Sequence, residues 1–365
     1  MKTKIILLLC FLIISNSMLR ASAKGLDYYE IKSAEELLSN HESSEKADEF
    51  KIALIGDTEA GAGFGSVLKL IATEKANVVM INGDLGYGSS PDMWKGRLTS
   101  SIDTDSIAVI GTLGNHDVGS NTSKYVSIFD NLRTDKNGLK TACTGSVGVS
   151  EGHDIVAADE VCTFGNVSIV SNAIGQIFTK TYLENRLEAK LKIIPATNWK
   201  LVGYHFTLSS MNPGLKGDES SFRFFDLIRQ YGAIGAQAHT HSAMASCPIS
   251  SPFKSGSAIQ CHPEFKSLEG RFVMPGTAVY VDSSLGGKEA RNRGRCKNPA
   301  EGGCKHMVDL ISSDGYTRVD GSKNTNFNRL GALFFVFNVG GDASKAYAYF
   351  KSIDGQTIFK FALVR

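Results

Sequence analysis

No apolar run in this chain is long enough to cross a bilayer. Ile5 to Ile14 is ten residues, against the roughly 20 that a spanning helix needs. Leu330 to Val339 is interrupted by Gly331 and Asn338. There is no transmembrane segment to place. Charge of one sign is not in excess either: 39 basic residues against 37 acidic ones give +2. Nothing in that balance calls for a nucleic-acid or membrane partner. Internal repeats are absent, as is any low-complexity tract beyond one basic cluster, Lys288 to Lys297. What remains is a globular chain.

The N-terminus has its own pattern. Met1-Lys-Thr-Lys4, the apolar run and Ala21-Ser-Ala23 form a basic n-region, an h-region and a small-residue cleavage site, so 1–23 reads as a secretory signal peptide. That predicts a secreted protein or one in the lumen of the secretory pathway. Residues 24–49 read as a polar lead-in. The mature chain of about 340 residues can bury a sizeable core. It carries a charge near −1, because the signal takes Lys2, Lys4 and Arg20 with it. Cys10 leaves too, and six cysteines remain, an even number that predicts disulfides in an exported chain. Six allow fifteen connectivities; the sequence neighbours are Cys143 with Cys162, Cys247 with Cys261, and Cys296 with Cys304. Asn121-Thr-Ser and Asn166-Val-Ser are glycosylation sequons.

The informative part is five short apolar runs, each stopping at metal-ligand residues. Lys51 to Gly56 runs into Asp57, and Asn77 to Asn82 into Gly83-Asp84-Leu-Gly-Tyr87. Ser106 to Gly111 leads to Gly114-Asn115-His116-Asp117. Trp199 to Tyr204 ends at His205, and Ala233 to Ala236 precedes His239-Thr-His241. Such runs read as buried parallel strands, and ligands collect at the carboxyl ends of strands in open α/β sheets. Helix-like segments between them, among them Tyr182 to Leu191 and Phe222 to Gln230, predict βαβ units. The region 118–165 is rich in Gly, Ser and Asp and reads as a loop-heavy insertion. A second insertion is expected at about 243–330, and the strand-like runs of the last third, with turns such as Asp354-Gly355, predict hairpins. One domain would then span 50–365.

Asp57, Asp84, Tyr87, Asn115, His205, His239 and His241 supply seven donors, too many for one ion and suited to two if a carboxylate bridges. Asp84 is the natural bridge. Two adjacent ions can clamp the attacking and leaving oxygens of a phosphoryl transfer.

This series resembles the calcineurin-like metallophosphoesterase superfamily over roughly residues 50–290. Gly83-Asp-Leu-Gly-Tyr87 and Val202-x-x-His205 are most like its purple acid phosphatase branch, which places a tyrosine three residues after the bridging Asp. The resemblance implies an α/β fold, a four-layer α/β/β/α sandwich of two mixed sheets flanked by helices. It implies a ferric ion on Asp57, Asp84, Tyr87 and His241, and a divalent iron, zinc or manganese ion on Asp84, Asn115, His205 and His239. His116 would be the catalytic imidazole, donating to the phosphate or to the leaving oxygen. The implied reaction is hydrolysis of a small phosphomonoester by in-line attack of a metal-bound hydroxide. The same residues also fit a phosphodiesterase or nucleotide hydrolase, or a secreted binding protein that keeps the fold without turnover. Two positions depart from the branch. Glu59 stands where it usually has glycine, and is open to three readings: a solvated side chain, a further carboxylate ligand, or an acceptor behind the ligands. Ala238 stands where the family has glycine. The basic loop also offers Arg291, Arg293 and Arg295 as contacts for a polyanionic substrate.

Overall fold

Strand β1 (Phe50–Ile55) shows how the layers arise. Ile52 and Leu54 enter one hydrophobic cluster while Ala53 and Ile55 enter another. Side chains alternate across a strand, so a run apolar at every position must be covered on both faces. In the computed structural model, the described residues are 49–133, 142–144, 156–173, 179–214, 216, 220–255, 258–294, 296 and 304–365. The signal peptide and nearly all of the polar lead-in fall outside them.

β1, β2 (Val78–Asn82) and β3 (Ala108–Thr112) pair in parallel. They are connected by helices α1 (Ala62–Thr73) and α2 (Pro91–Thr99). On the far side of β1 come the antiparallel hairpins of β15 (Gly331–Phe337), β16 (Lys345–Ser352) and β17 (Thr357–Val364). The short β10 (Gly270–Phe272) completes this seven-stranded sheet beside β17.

The second sheet has ten strands. Its parallel centre is β6 (Val167–Ser171), β7 (Trp199–Gly203), β8 (Ile234–Gln237) and β11 (Val279–Ser283). One edge is β5 (Val161–Phe164) with β4 (Ala142–Thr144). The other is β9 (Ala243–Ser246), β12 (Met307–Ser312), β13 (Gly315–Arg318) and β14 (Lys323–Asn324). β11 lies in the region read as hairpins, yet it runs parallel to β8.

Three cores separate the layers. Ile52, Leu54 and Met80 of the first sheet meet Ile169, Leu201 and Ile234 of the second. Outside the first sheet, Phe64, Trp94, Tyr125 and Phe129 pack on Ala53, Val79 and Val109. Outside the second, Leu183 and Leu187 of α4 (Lys180–Ile193) and Phe224 and Phe225 of α5 (Phe222–Gln230) cover Val202, Tyr204 and Tyr280. The architecture is therefore α/β/β/α. Each fully buried Phe, Leu or Ile contributes about 1.5–3 kcal/mol.

The loop-heavy reading of 118–165 is corrected. Helix α3 (Thr122–Leu132) packs on the first sheet through Tyr125, Val126, Ile128, Phe129 and Leu132, and β4 and β5 belong to the second. The Gly, Ser and Asp around α3 masked its i, i+4, i+7 apolar stripe. Disulfides join Cys143 to Cys162, Cys247 to Cys261 and Cys296 to Cys304, the sequence neighbours. Among the described residues no helix is long and apolar enough to cross a membrane.

Candidate metal centre

All five ligand blocks follow strands, and the strands come from both sheets. Asp57, Asp84 and Asn115 follow β1, β2 and β3 of the first; His205 and His239 follow β7 and β8 of the second. The site therefore lies at the seam between them. Hydrogen bonds cross that seam directly. Asn82 Nδ2 donates to Ala236 O at 3.1 Å, and His239 N donates to Asp57 Oδ2 at 2.8 Å.

The turns that carry the donors are backbone-strained. Among the described residues nine non-glycine residues have positive φ, and six of them are Asp57, Glu59, Asp84, Tyr87, His239 and His241. That conformation costs an L-residue roughly 1–2 kcal/mol, and it persists where surrounding structure enforces it, often at functional sites. Close packing does the enforcing. A Cβ on Gly83 would lie 2.5 Å from Gly114 N, and one on Gly56 would lie 2.5 Å from Ala238 Cβ. Ala238 is thus seated against a glycine, which explains how it replaces one.

Asp117 ties two of these turns together. Its Oδ1 accepts from Leu85 N at 2.8 Å and its Oδ2 from Gly114 N at 2.7 Å. Asp282, at the end of β11, does the same for the histidine turn. Its Oδ2 accepts from Thr240 Oγ1 at 2.9 Å and Gln237 Nε2 at 3.1 Å. The sequence marks Asp117 only as part of a ligand-rich turn and gives no reason to single out Asp282.

The donors gather in two groups. In one, Asp57 Oδ1 accepts from Tyr87 OH at 2.6 Å and lies 3.1 Å from His241 Nε2, and the Tyr87 hydroxyl is 3.0 Å from that nitrogen. In the other, Asp84, His205 and His239 offer donor atoms that all lie within 4.8 Å of one another. His205 Nε2 is 3.3 Å from Asp84 Oδ1 and 3.1 Å from His239 Nδ1. Two imidazoles are oriented by carbonyls. His205 Nδ1 donates to Asn82 O at 2.7 Å and His241 Nδ1 to Glu289 O at 3.3 Å. Carbonyls only accept, so each Nδ1 carries the proton and each Nε2 faces the centre. Asp84 Oδ2 is buried with no hydrogen-bond partner. An orphaned carboxylate oxygen beside imidazole nitrogens is what a cation site requires, so the donor set fits a metal.

The electrostatics agree. Burial pushes the Asp57 and Asp84 carboxyls up, but His241 acting on Asp57 and His205 acting on Asp84 outweigh it and hold both below the usual carboxylate range. Burial pushes the His205 imidazole down, yet the charge and hydrogen bond of Asp84 carry it up to about 9. Burial, the charge of His205 and then that of Lys216 hold His239 down at about 3.

Two expected residues sit at the rim. Asn115 is exposed and, among the described residues, makes no hydrogen bond to the other donors. His116 donates its backbone N–H to Asp84 Oδ1 at 3.0 Å, while its half-exposed ring lies tilted against that of Tyr87, 4.5 Å between centroids. Among the described residues, no hydrogen bond joins the Glu59 side chain to the donors. Its Oε2 lies 2.9 Å from Lys288 Nζ, which sits 4.6 Å above the Tyr87 ring. Arg293 is engaged by Thr317 at 2.8 Å and Asp314 at 3.5 Å, and Arg295 lies outside the described residues. Arg291 is exposed on a cleft of about 580 Å³ that His241 and Lys288 also line. Lys216, which nothing in the sequence marks, reaches the donors themselves: its Nζ is 3.3 Å from His239 Nδ1 and 3.5 Å from His241 Nε2.

Residues 50–243, more than half of the chain, match the sequence profile of the calcineurin-like phosphoesterases. The chain belongs to that family. Among solved structures, a purple acid phosphatase, PPD1 from yellow lupin (Lupinus luteus) seeds, is similar at a TM-score of 0.55 and 14% identity, over 88% of this chain and 54% of that one. This chain thus spans about half the lupin enzyme's length, and the likeness is one of fold. GAP50, the anchor in the inner membrane complex of Plasmodium, aligns at a TM-score of 0.48 and 10% identity, over 87% of this chain and 89% of that one. PhoD aligns at 0.47 and 10%, over 86% and 72%. No curated protein matches the chain.

Proposed function

We propose that this phosphoesterase family member is an exported phosphatase that hydrolyses phosphomonoesters at a centre of two metal ions. Asp57, Asp84, Tyr87 and His241 would hold a ferric ion, and Asp84, Asn115, His205 and His239 a divalent iron, zinc or manganese ion. The observation that carries this reading is the division of the buried donors into two groups, with the unpartnered oxygen of Asp84 among them. A phenol and carboxylates suit a hard trivalent ion, and imidazoles and an amide suit a divalent one. When bound, such a pair supplies positive charge to both the attacking and the leaving oxygen of an in-line displacement and acidifies a water.

The chain's own residues do the rest. Asn82 and Glu289 fix the ring orientations of His205 and His241 through their carbonyls. His116, half-exposed beside Tyr87, is available to donate to a phosphoryl or leaving oxygen. Lys288 is held at the rim by Glu59, whose charge it balances, so Glu59 does not repel an anionic substrate. The three disulfides favour an oxidising compartment.

The test is hydrolysis of a phosphomonoester and a matched phosphodiester, from acid to neutral pH, by wild type, Asn115→Ala and Asp84→Asn, with metal content measured in each. Monoester turnover that collapses in both variants supports the proposal. Turnover mainly of the diester makes the chain a phosphodiesterase. Retained metal without hydrolysis of either ester makes it a binding protein on this scaffold.

A further inference from the structure

We infer that Lys216 is a resident occupant of the metal site, placing its ammonium group against the imidazole nitrogens that an incoming ion must take. The inference rests on the two-metal reading and adds a control on its loading. Lys216 Nζ lies 3.5 Å from His241 Nε2, the nitrogen that also faces Asp57 Oδ1 and the Tyr87 hydroxyl. On the opposite side, Nζ lies 3.3 Å from His239 Nδ1. His241 belongs to the proposed ferric set and His239 to the divalent set, so one ammonium touches both.

Geometry places this side chain among the donors. The same two imidazoles face the carboxylates, with Asp57 Oδ1 3.1 Å from His241 Nε2 and Asp84 grouped with His205 and His239. Buried carboxylates favour a nearby positive charge, and Lys216 adds one when no ion does. Its main chain is anchored at the site, because Asn212 Nδ2 donates to Lys216 O at 3.3 Å while Asn212 Oδ1 accepts from Gly214 N at 2.9 Å. A metal ion and the ammonium compete for the same donors, so loading requires the side chain to leave.

The experiment uses the full chain, stripped by chelator and titrated calorimetrically with zinc alone, for wild type, Lys216→Gln and Arg291→Gln. Arg291→Gln removes a nearby charge that does not touch the imidazoles. Zinc is expected to bind Lys216→Gln about 10–100-fold more tightly than wild type, the range set by charged hydrogen bonds. Arg291→Gln should change affinity less than about threefold, as expected of an exposed charge in salt. In wild type, acylation of Lys216, read by mass spectrometry, should be slow without zinc and faster with it; this readout stands even if the variant folds poorly. Equal affinities for Lys216→Gln and wild type, equal effects of the two substitutions, or labelling indifferent to zinc would each overturn the inference. So would zinc uptake by neither protein. Asp84→Asn separates the two claims: if it binds zinc as wild type does, the metal-centre reading fails, whereas the Lys216 comparison stands or falls by its own ratio.

Discussion

Glu59 allows the strain at this site to be measured at a single residue. It sits at φ +62° and its carboxylate pairs with Lys288. Glu59→Gly and Glu59→Ala both lose that partly exposed pair, itself worth at most about 1 kcal/mol. They differ in whether the left-handed backbone is tolerated. Glu59→Gly should therefore be more stable than Glu59→Ala by about 1–2 kcal/mol in urea unfolding, and equal stabilities would mean that the turn relaxes. Asp282 offers a second test. Asp282→Ala removes one acceptor from each of Thr240 Oγ1 and Gln237 Nε2, on either side of His239. Removing such a support behind a ligand is expected to weaken zinc binding about 10–100-fold by calorimetry. The candidate ligands themselves were legible in the sequence because each sits where an apolar run stops. Asp282 and Lys216 were not. The first acts through neighbours brought to it by folding, and the second reaches the donors across space from a segment with no motif of its own.

At the scale of elements, Gly83 is a tight joint between two turns. Its φ is +80°, and a Cβ there would meet the backbone of the Gly114 turn. Gly83→Ala must separate the turns after β2 and β3, so it should lower stability by at least about 2 kcal/mol in denaturant unfolding and weaken metal uptake with it. A milder loss, about 1 kcal/mol, is expected for Thr179→Ala. The Thr179 hydroxyl caps α4 by accepting from Tyr182 N. Helix periodicity read α4 and α5 to within two residues of their observed ends, since their apolar stripes are uninterrupted. α3 escaped because its Tyr125, Phe129 and Leu132 stripe lies among residues whose composition signals loop. The parallel pairing of β11 with β8 escaped for another reason: partners so distant in sequence leave no local trace, and turn residues nearby suggested a hairpin instead.

Across the whole molecule, the four layers followed from the alternation of helix and strand, but the order of strands within each sheet did not. One buried carboxylate outside the donor set bears on stability against pH. Burial pushes Glu160 up to about 7, against the downward pull of Arg133 and Lys190. Arg133 Nη1 is 3.0 Å from Glu160 Oε2 but is not aligned as a hydrogen bond. A folded-state pKa raised above the unfolded value gives stability that is present in acid and lost as pH rises through the folded value. From the unfolded 4.5 to about 7 that loss reaches up to about 3 kcal/mol. Glu160→Gln should therefore gain on wild type in thermal melts between pH 5 and pH 8, and a constant difference would refute the assignment. The placement of the donors on two sheets has a consequence of a different kind. Neither half of the chain holds a complete set, so an ion is captured tightly only after the halves have docked in register. A metal in this protein would act as an inspector of assembly, retained by correctly built copies and slipping from misbuilt ones.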